Sequence, residues 1–276
     1  MSSYVVGVDG SAPSKAALEW ALERSESRRR HPLRLVHVLD DEAGLAGPDI
    51  QLQAEREGRR LLAERLEEAR QLYPDLELSS TVLHGSMPWE LSHAAGPPDM
   101  LVLGTHRSSS SDGRVLGSRS VQVASITPAT LAVIPDRRRN PAGPVVVGVG
   151  MREPAGPAVV WAAHEAAATK LPLLLVHGMG SAERRAGAPH PELAAINLSE
   201  AKKLALEIEP GATVSTRLSP DGAAQALLAA AYEASTLVVG PSRTFGTGAS
   251  PIGTVTQSVL LNTHCPVLVT RYSAGA

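Results

Sequence analysis

The chain has 276 residues, long for one domain and comfortable for two of roughly 140. Its 26 basic and 28 acidic side chains nearly cancel, so no bulk field favours nucleic acid or an anionic membrane. The single cysteine, Cys265, excludes an intrachain disulfide framework and a cysteine-held zinc site, and it fits a reducing compartment.

Met1-Ser2-Ser3 runs straight into an apolar strand at Tyr4–Val8, so no secretory leader is expected. Ser11-Ala12-Pro13 is a helix start, because proline fixes φ where the first turn needs no N–H. The Ala-rich helix that follows carries Trp20, and Arg28-Arg29-Arg30 closes it, cations meeting the negative end of the helix dipole. A second strand, Leu33–His37, ends in histidine. From Gln51 to Leu72, Ile/Leu spacing with interleaved Glu and Arg reads as an amphipathic surface helix. The strand Met100–Gly104 leads into Gly104-Thr-His-Arg107, nine residues, then Gly117-Ser118, where serine opens another helix. Leu131–Ile134 is an apolar last strand, and Asp136–Pro144 is polar and Pro/Gly-rich, a linker.

The same order then begins again. Val145–Gly150 matches Tyr4–Asp9, a helix carries Trp161, and Leu173–His177 again ends in histidine. Gly178–Pro191 reads as an internal loop. Thr236–Gly240 leads into Gly240-Pro-Ser-Arg243, nine residues, then Gly253-Thr254. The offset is 141 between Gly7 and Gly148, 140 between His37 and His177, and 136 between Gly104 and Gly240. Chance does not hold an offset so steady across four blocks; the chain is a duplication.

With one Phe and seven other aromatics, the core must be built from Ala, Leu and Val, as in parallel sheets covered by Ala-rich helices. The expected fold is α/β: two tandem doubly wound, mostly parallel five-stranded sheets with helices on both faces. The expected domains are 1–136 and 145–276, with 137–144 between them. The longest apolar runs, such as Leu171–Val176 and Ala226–Ala231, fall far short of the roughly 20 residues that span a bilayer, so a cytoplasmic protein is expected. The apolar edges Leu131–Ile134 and Val267–Thr270 are expected to pair the two copies as an intramolecular pseudo-dimer.

In such sheets ligands bind beyond the carboxyl ends of the strands, where the strand order reverses. The ends of strands one and two and the loop after strand four should meet there. Glycine at Gly104 and Gly117 lets backbone N–H groups turn toward an anion, and the helix opened by Ser118 attracts phosphate with its amides and dipole.

Val-Gly-Val-Asp9-Gly10-Ser11, the strand-two Val-His37-Val38 and the twice-repeated glycine loop resemble the universal stress protein family. The ending Thr263-His-Cys-Pro-Val-Leu-Val269 resembles that family's last strand. The resemblance implies the adenine nucleotide alpha-hydrolase-like fold and binding of ATP, with Mg, or of a related adenine nucleotide. It places Asp9, Gly10, Ser11 and Val38 at the nucleoside and Gly104, Arg107, Gly117 and Ser118 at the phosphates. In the second copy the matching positions are Gly148, Gly240, Arg243, Gly253 and Thr254. It further implies a cytoplasmic stress-response sensor or regulator that assembles in pairs, so that a homodimer of the whole chain is compatible with it. The alternative is an interaction scaffold of the same fold without nucleotide binding in one or both copies.

Two departures from the family stand out. Arg107 and Arg243 occupy a glycine position, where each either plugs the phosphate cradle or clasps the phosphates. Gly150 replaces the strand-one aspartate, so the first copy is expected to bind better. Asp9 itself reads either as a ligand contact or as a cap on the next turn. His37 and His177 read more readily as hydrogen-bonded structural residues than as ligand contacts. Ser108–Ser111 reads as a solvated loop, Cys265 as a buried inert thiol, and Trp20 and Trp161 as core or interface residues. No nucleophile elbow, metal-spaced cluster or Gly-Lys-[Ser/Thr] phosphate loop occurs, so neither catalytic nor metal-binding residues are assigned, and any ATP hydrolysis is expected to be slow and incidental.

Overall fold

The computed structural model describes residues 3–27, 30–40, 47–105, 118–136, 140–150, 156–180, 191–240, 252–262 and 264–271. Two compact units emerge, Met1–Asp136 and Arg137–Tyr272. Arg107, Ser108–Ser111, Gly117 and Arg243 lie outside the described residues, as do residues 181–190 of the internal loop.

The first unit runs β1 (Tyr4–Gly7), α1 (Ala12–Ser27), β2 (Leu33–Leu39), α2 (Pro48–Leu72), β3 (Leu78–His84), α3 (Met87–Ala94), β4 (Met100–Thr105), α4 (Ser118–Ile126) and β5 (Thr130–Pro135). Its strands are all parallel, in the order β3-β2-β1-β4-β5, with Tyr4 in register with both Leu33 and Met100. Strand order reverses between β1 and β4. The central strands β1 and β4 are apolar and buried over most of their length, whereas the edge strand β3 (Leu-Ser-Ser-Thr-Val-Leu-His) is more polar and has no buried residue. That is the pattern of a sheet covered on both faces and left open at one side. Helix α1 packs on β1, β4 and β5, and α2 packs on β2 and β3. Helices α3 and α4 pack on each other, with α3 also against β2.

The second unit repeats every element: β6 (Val145–Gly148), α5 (Pro157–Thr169), β7 (Leu173–Gly178), α6 (Pro191–Ile208), β8 (Val214–Ser219), α7 (Ala223–Ala231), β9 (Thr236–Val239), α8 (Thr254–Asn262) and β10 (Val267–Val269). Its parallel order is β8-β7-β6-β9-β10, the same winding. The α/β class, the doubly wound parallel sheets and the duplication are as the sequence led us to expect.

Several local expectations gain detail. Helix α2 begins at Pro48, three residues before the expected Gln51, because Gly47 takes φ 98° and turns the chain into a proline-led first turn. Helix α1 ends at Ser27. Arg30 adopts φ 53° and pairs with Asp75 at 3.1 Å and Glu26 at 3.7 Å, exposed contacts worth little in stability. The end of the linker is anchored to the second unit: Asn140 Nδ2 donates to the Glu233 carbonyl at 2.8 Å, and Ser235 N donates to the Pro144 carbonyl at 3.0 Å. Cys265 is buried. Trp20 is fully buried with the Arg24 guanidinium 3.8 Å from its ring centre, while Trp161 is only half-buried. Among the described residues no helix is long and apolar enough to cross a membrane.

Candidate functional site

At the carboxyl ends of β1, β2 and β4 in the first unit lies a cleft of about 230 Å³. It sits where the strand order reverses, the place at which open α/β sheets bind ligands. Four of the residues singled out in the sequence line it: Asp9, Ser11, Val38 and Gly104.

The polar wall begins with the turn from β1 to α1. Ser11 is the N-cap: its carbonyl accepts from Lys15 N at 3.1 Å, and its Oγ accepts from Ser14 N at 3.3 Å. Asp9 Oδ1 in turn accepts from Ser11 N at 3.0 Å and from Ser11 Oγ at 2.6 Å. Gly10, between them, takes φ 81°, a conformation that a side chain disfavours. Of the two readings of Asp9, the cap on the next turn is the one seen in this geometry. Oδ1 closes the turn, and Oδ2 has no partner among the described residues. Burial raises the Asp9 pKa, but hydrogen bonds from the Ser11 hydroxyl and amide and from Ser14 outweigh it, and the carboxyl sits below its ordinary value. Gly10 shapes the turn and does not line the cleft.

Strand two contributes His37 and Val38. His37 does line the cleft, yet its Nδ1 is 2.7 Å from the Val8 carbonyl, which ties the end of β2 to the end of β1. The ring is also held from α2. A Cβ on Gly58 would stand 2.6 Å from His37 Cδ2, so glycine in that long helix is what lets it close over the imidazole. Val38 and, beyond it, Asp40 continue the wall.

Gly104 has a packing reason of its own. A Cβ there would lie 2.3 Å from the carbonyl carbon and oxygen of Pro13, inside the backbone of α1. The glycine thus lets β4 touch the N-terminus of α1 and closes the floor of the cleft. Among the described residues Gly240, its counterpart, meets only Ala158 Cβ at 3.7 Å.

Sequence reasoning missed the apolar wall and one cation. Met87 and Leu91, one turn apart on α3, line the cleft with Leu103. Their i, i+4 spacing puts them on one helix face. Gly7 makes room for this packing: a Cβ there would stand 2.7 Å from Leu103 Cδ2. The cation is Arg119, in the first turn of α4 beside Ser120. Helix α4 opens at Ser118, as the Gly-Ser signal implied.

In the second unit the same positions carry less chemistry. Val149 N donates to Val176 O at 2.9 Å, and His177 Nδ1 lies 2.7 Å from the Val149 carbonyl, so the strand-end lock is kept. Asp9 is matched by Gly150, Val38 by Gly178, Asp40 by Gly180, Met87 by Ala223 and Arg119 by Val255. A Cβ on Gly178 would be 2.7 Å from Ala223 Cα, so the end of β7 rests directly on the start of α7. Gly180 N also donates to Asp221 O at 3.0 Å. Gly148 closes β6 with Leu227 against it, and Gly253 caps α8, its carbonyl accepting from Gln257 N at 3.0 Å before Thr254 opens the helix.

The sequence profile described as the universal stress protein family matches residues 2–135 and again residues 142–271. The chain belongs to the universal stress protein family. A universal stress protein of Mycobacterium tuberculosis is 30% identical over 301 aligned positions, which cover 97% of this chain and 94% of that protein. Among solved structures, a universal stress protein from Archaeoglobus fulgidus superposes with a TM-score of 0.73 at 17% identity, covering 98% of each chain. A shorter universal stress protein, solved in complex with cAMP, is 24% identical with a TM-score of 0.39, covering 48% of this chain and 99% of its own.

Proposed function

We propose that the first unit of this universal stress protein binds an adenine nucleotide, ATP or a relative, and that occupancy serves as the signal in a stress response. The observation that carries this reading is the cleft at the strand-order reversal, with an ionised Asp9 at one wall and an apolar face of Val38, Met87 and Leu91 at another. A planar base needs the apolar face, and ribose hydroxyls need an acceptor that is charged but not fully used; Asp9 Oδ2 is such an acceptor. Among the described residues no cluster of three or more His, Cys, Asp or Glu could hold a metal, so Mg enters this reading only as the counterion of the phosphates.

For the second unit a scaffold role fits better. Gly150, Gly178, Gly180, Ala223 and Val255 stand where the first cleft has its acceptors, walls and cation.

Calorimetric titration of the purified full chain with ATP tests the proposal, together with adenine absorbance in the acid supernatant of the protein as isolated. One nucleotide bound per chain supports it; no heat at millimolar ATP and no released adenine would overturn it.

A further inference from the structure

The charges around the first cleft are unevenly distributed. Asp9 and Asp40 line it, and a phosphate placed there meets two carboxylates. Arg119 is the one lysine or arginine among the described residues that line the same cleft, exposed in the first turn of α4 beside the buried Ser120. It makes no ion pair among the described residues, so its five donors are uncommitted there. Val255 occupies its place in the second unit. No fold requirement explains an arginine here, because α8 opens equally well as Thr-Val-Thr where α4 opens as Ser-Arg-Ser.

We infer that Arg119 sets the charge preference of the cleft: it is the residue by which the first unit takes a phosphorylated nucleoside in preference to the neutral nucleoside. This rests on the adenine-nucleotide reading and sharpens it. The base and ribose are held by the apolar wall and Asp9, which do not distinguish adenosine from AMP. The phosphate is distinguished by a guanidinium placed where helix amides also point toward the anion. Without Arg119 the two carboxylates repel the phosphate, and among the described residues no other lysine or arginine lines the cleft to offset them.

The test is calorimetry on the full chain with AMP and adenosine, comparing wild type, Arg119→Ala and Arg119→Lys at low and high salt. Removing the guanidinium should weaken AMP about 10-fold or more and leave adenosine within about 2-fold, so that the preference collapses. Lysine keeps the charge without the planar fork and should fall between. The salt dependence of AMP binding should flatten in Arg119→Ala. Unchanged adenosine binding also shows that the variant is folded. Equal weakening of both ligands, or AMP binding that does not change, would overturn the assignment. If wild type binds neither ligand, the nucleotide reading itself fails and this inference fails with it; if wild type binds adenosine and AMP alike, only the role of Arg119 is lost.

Discussion

His37 Nδ1 lies 2.7 Å from the backbone carbonyl of Val8, so the imidazole joins the end of β2 to the residue just beyond β1. His177 and Val149 repeat the contact at 2.7 Å in the second unit. The contact outlasts the cleft chemistry around it: the second unit has lost the aspartate and the cation but kept the histidine. A carbonyl can only accept, so Nδ1 must carry the proton in both rings. Nitrogen-15 spectra of the histidines should therefore show the Nδ1–H tautomer for His37 and His177 whenever they are neutral. An Nε2–H pattern would contradict the geometry. Replacing either with alanine leaves a strand-end carbonyl without its donor and should cost about 1–3 kcal/mol in denaturant unfolding. The larger loss is expected at His177, which is only 3% exposed.

Gly58 should be intolerant of alanine although it sits inside a helix. Alanine there normally gains up to about 1 kcal/mol of helix propensity. Here the new Cβ would be 2.6 Å from His37 Cδ2, and the ring cannot retreat without giving up Val8. Overpacking of this kind costs about 1–3 kcal/mol, so Gly58→Ala should destabilise by about 1 kcal/mol net. A rise in stability in urea titration would show that the ring moves freely.

The matched glycines Gly104 and Gly240 should respond in opposite ways. In Gly104→Ala the methyl would collide with Pro13 backbone at 2.3 Å, where no side chain can swing aside. We expect a loss of about 3 kcal/mol or more, or failure to fold. In Gly240→Ala the methyl meets Ala158 Cβ at an ordinary 3.7 Å, and the change should be within about 0.5 kcal/mol. Thermal denaturation of the two variants decides it, and similar melting temperatures would show that the close approach at Gly104 is relieved elsewhere.

These glycines also mark the limit of what the sequence discloses. The repeat, the succession of strands and helices along the chain and the helix starts at Ser11 and Ser118 are carried by local features: apolar runs, capping residues and a steady offset. Asp9 and Val38 could be placed at the cleft because the end of a parallel strand is a fixed location in this fold. The meaning of Gly58 was not legible, since only the tertiary approach of α2 to His37 makes it necessary. Met87 and Leu91 look like core spacing until α3 is seen to run along the cleft. Arg119 was hidden by its neighbour: the Gly-Ser pair accounts for the helix start, and the following residue then reads as an exposed helix position.

Asp9 gives a pH dependence whose sign follows from its lowered pKa. The unfolded carboxyl titrates near 4 and the folded one below that, so the folded state binds fewer protons in that interval. Its stabilisation is fully present above about pH 4 and is lost as pH falls through the folded pKa. Wild type should therefore lose stability between pH 4 and pH 2 more steeply than Asp9→Asn. The two should run parallel from pH 5 to pH 8. Equal slopes below pH 4 would mean that the Ser11 hydrogen bonds do not discriminate the ionised form.

The two units should bind nucleotide unequally, and Asp9 should be the reason that can be measured in the intact chain. Asp9 and Arg119 in the first cleft stand against Gly150 and Val255 in the second, and the wall residues Val38 and Met87 against Gly178 and Ala223. A hydrogen bond from a ribose hydroxyl to a carboxylate contributes about 1.5–3 kcal/mol, or roughly 10- to 100-fold in affinity. Calorimetry on the full chain should thus resolve one tight ATP site per chain. Asp9→Ala should weaken that site by this factor, whereas Gly150→Ala, which meets nothing within 4 Å among the described residues, should leave it unchanged. Because Asp9 also closes the turn ahead of α1, Asp9→Asn separates the two roles. Its amide oxygen can still accept from Ser11, so the turn survives, while the charge offered to the ribose is gone. Weakened binding with near-normal melting would assign the loss to the ligand contact. Two equal sites in wild type, or full affinity in Asp9→Ala, would return both units to equal standing.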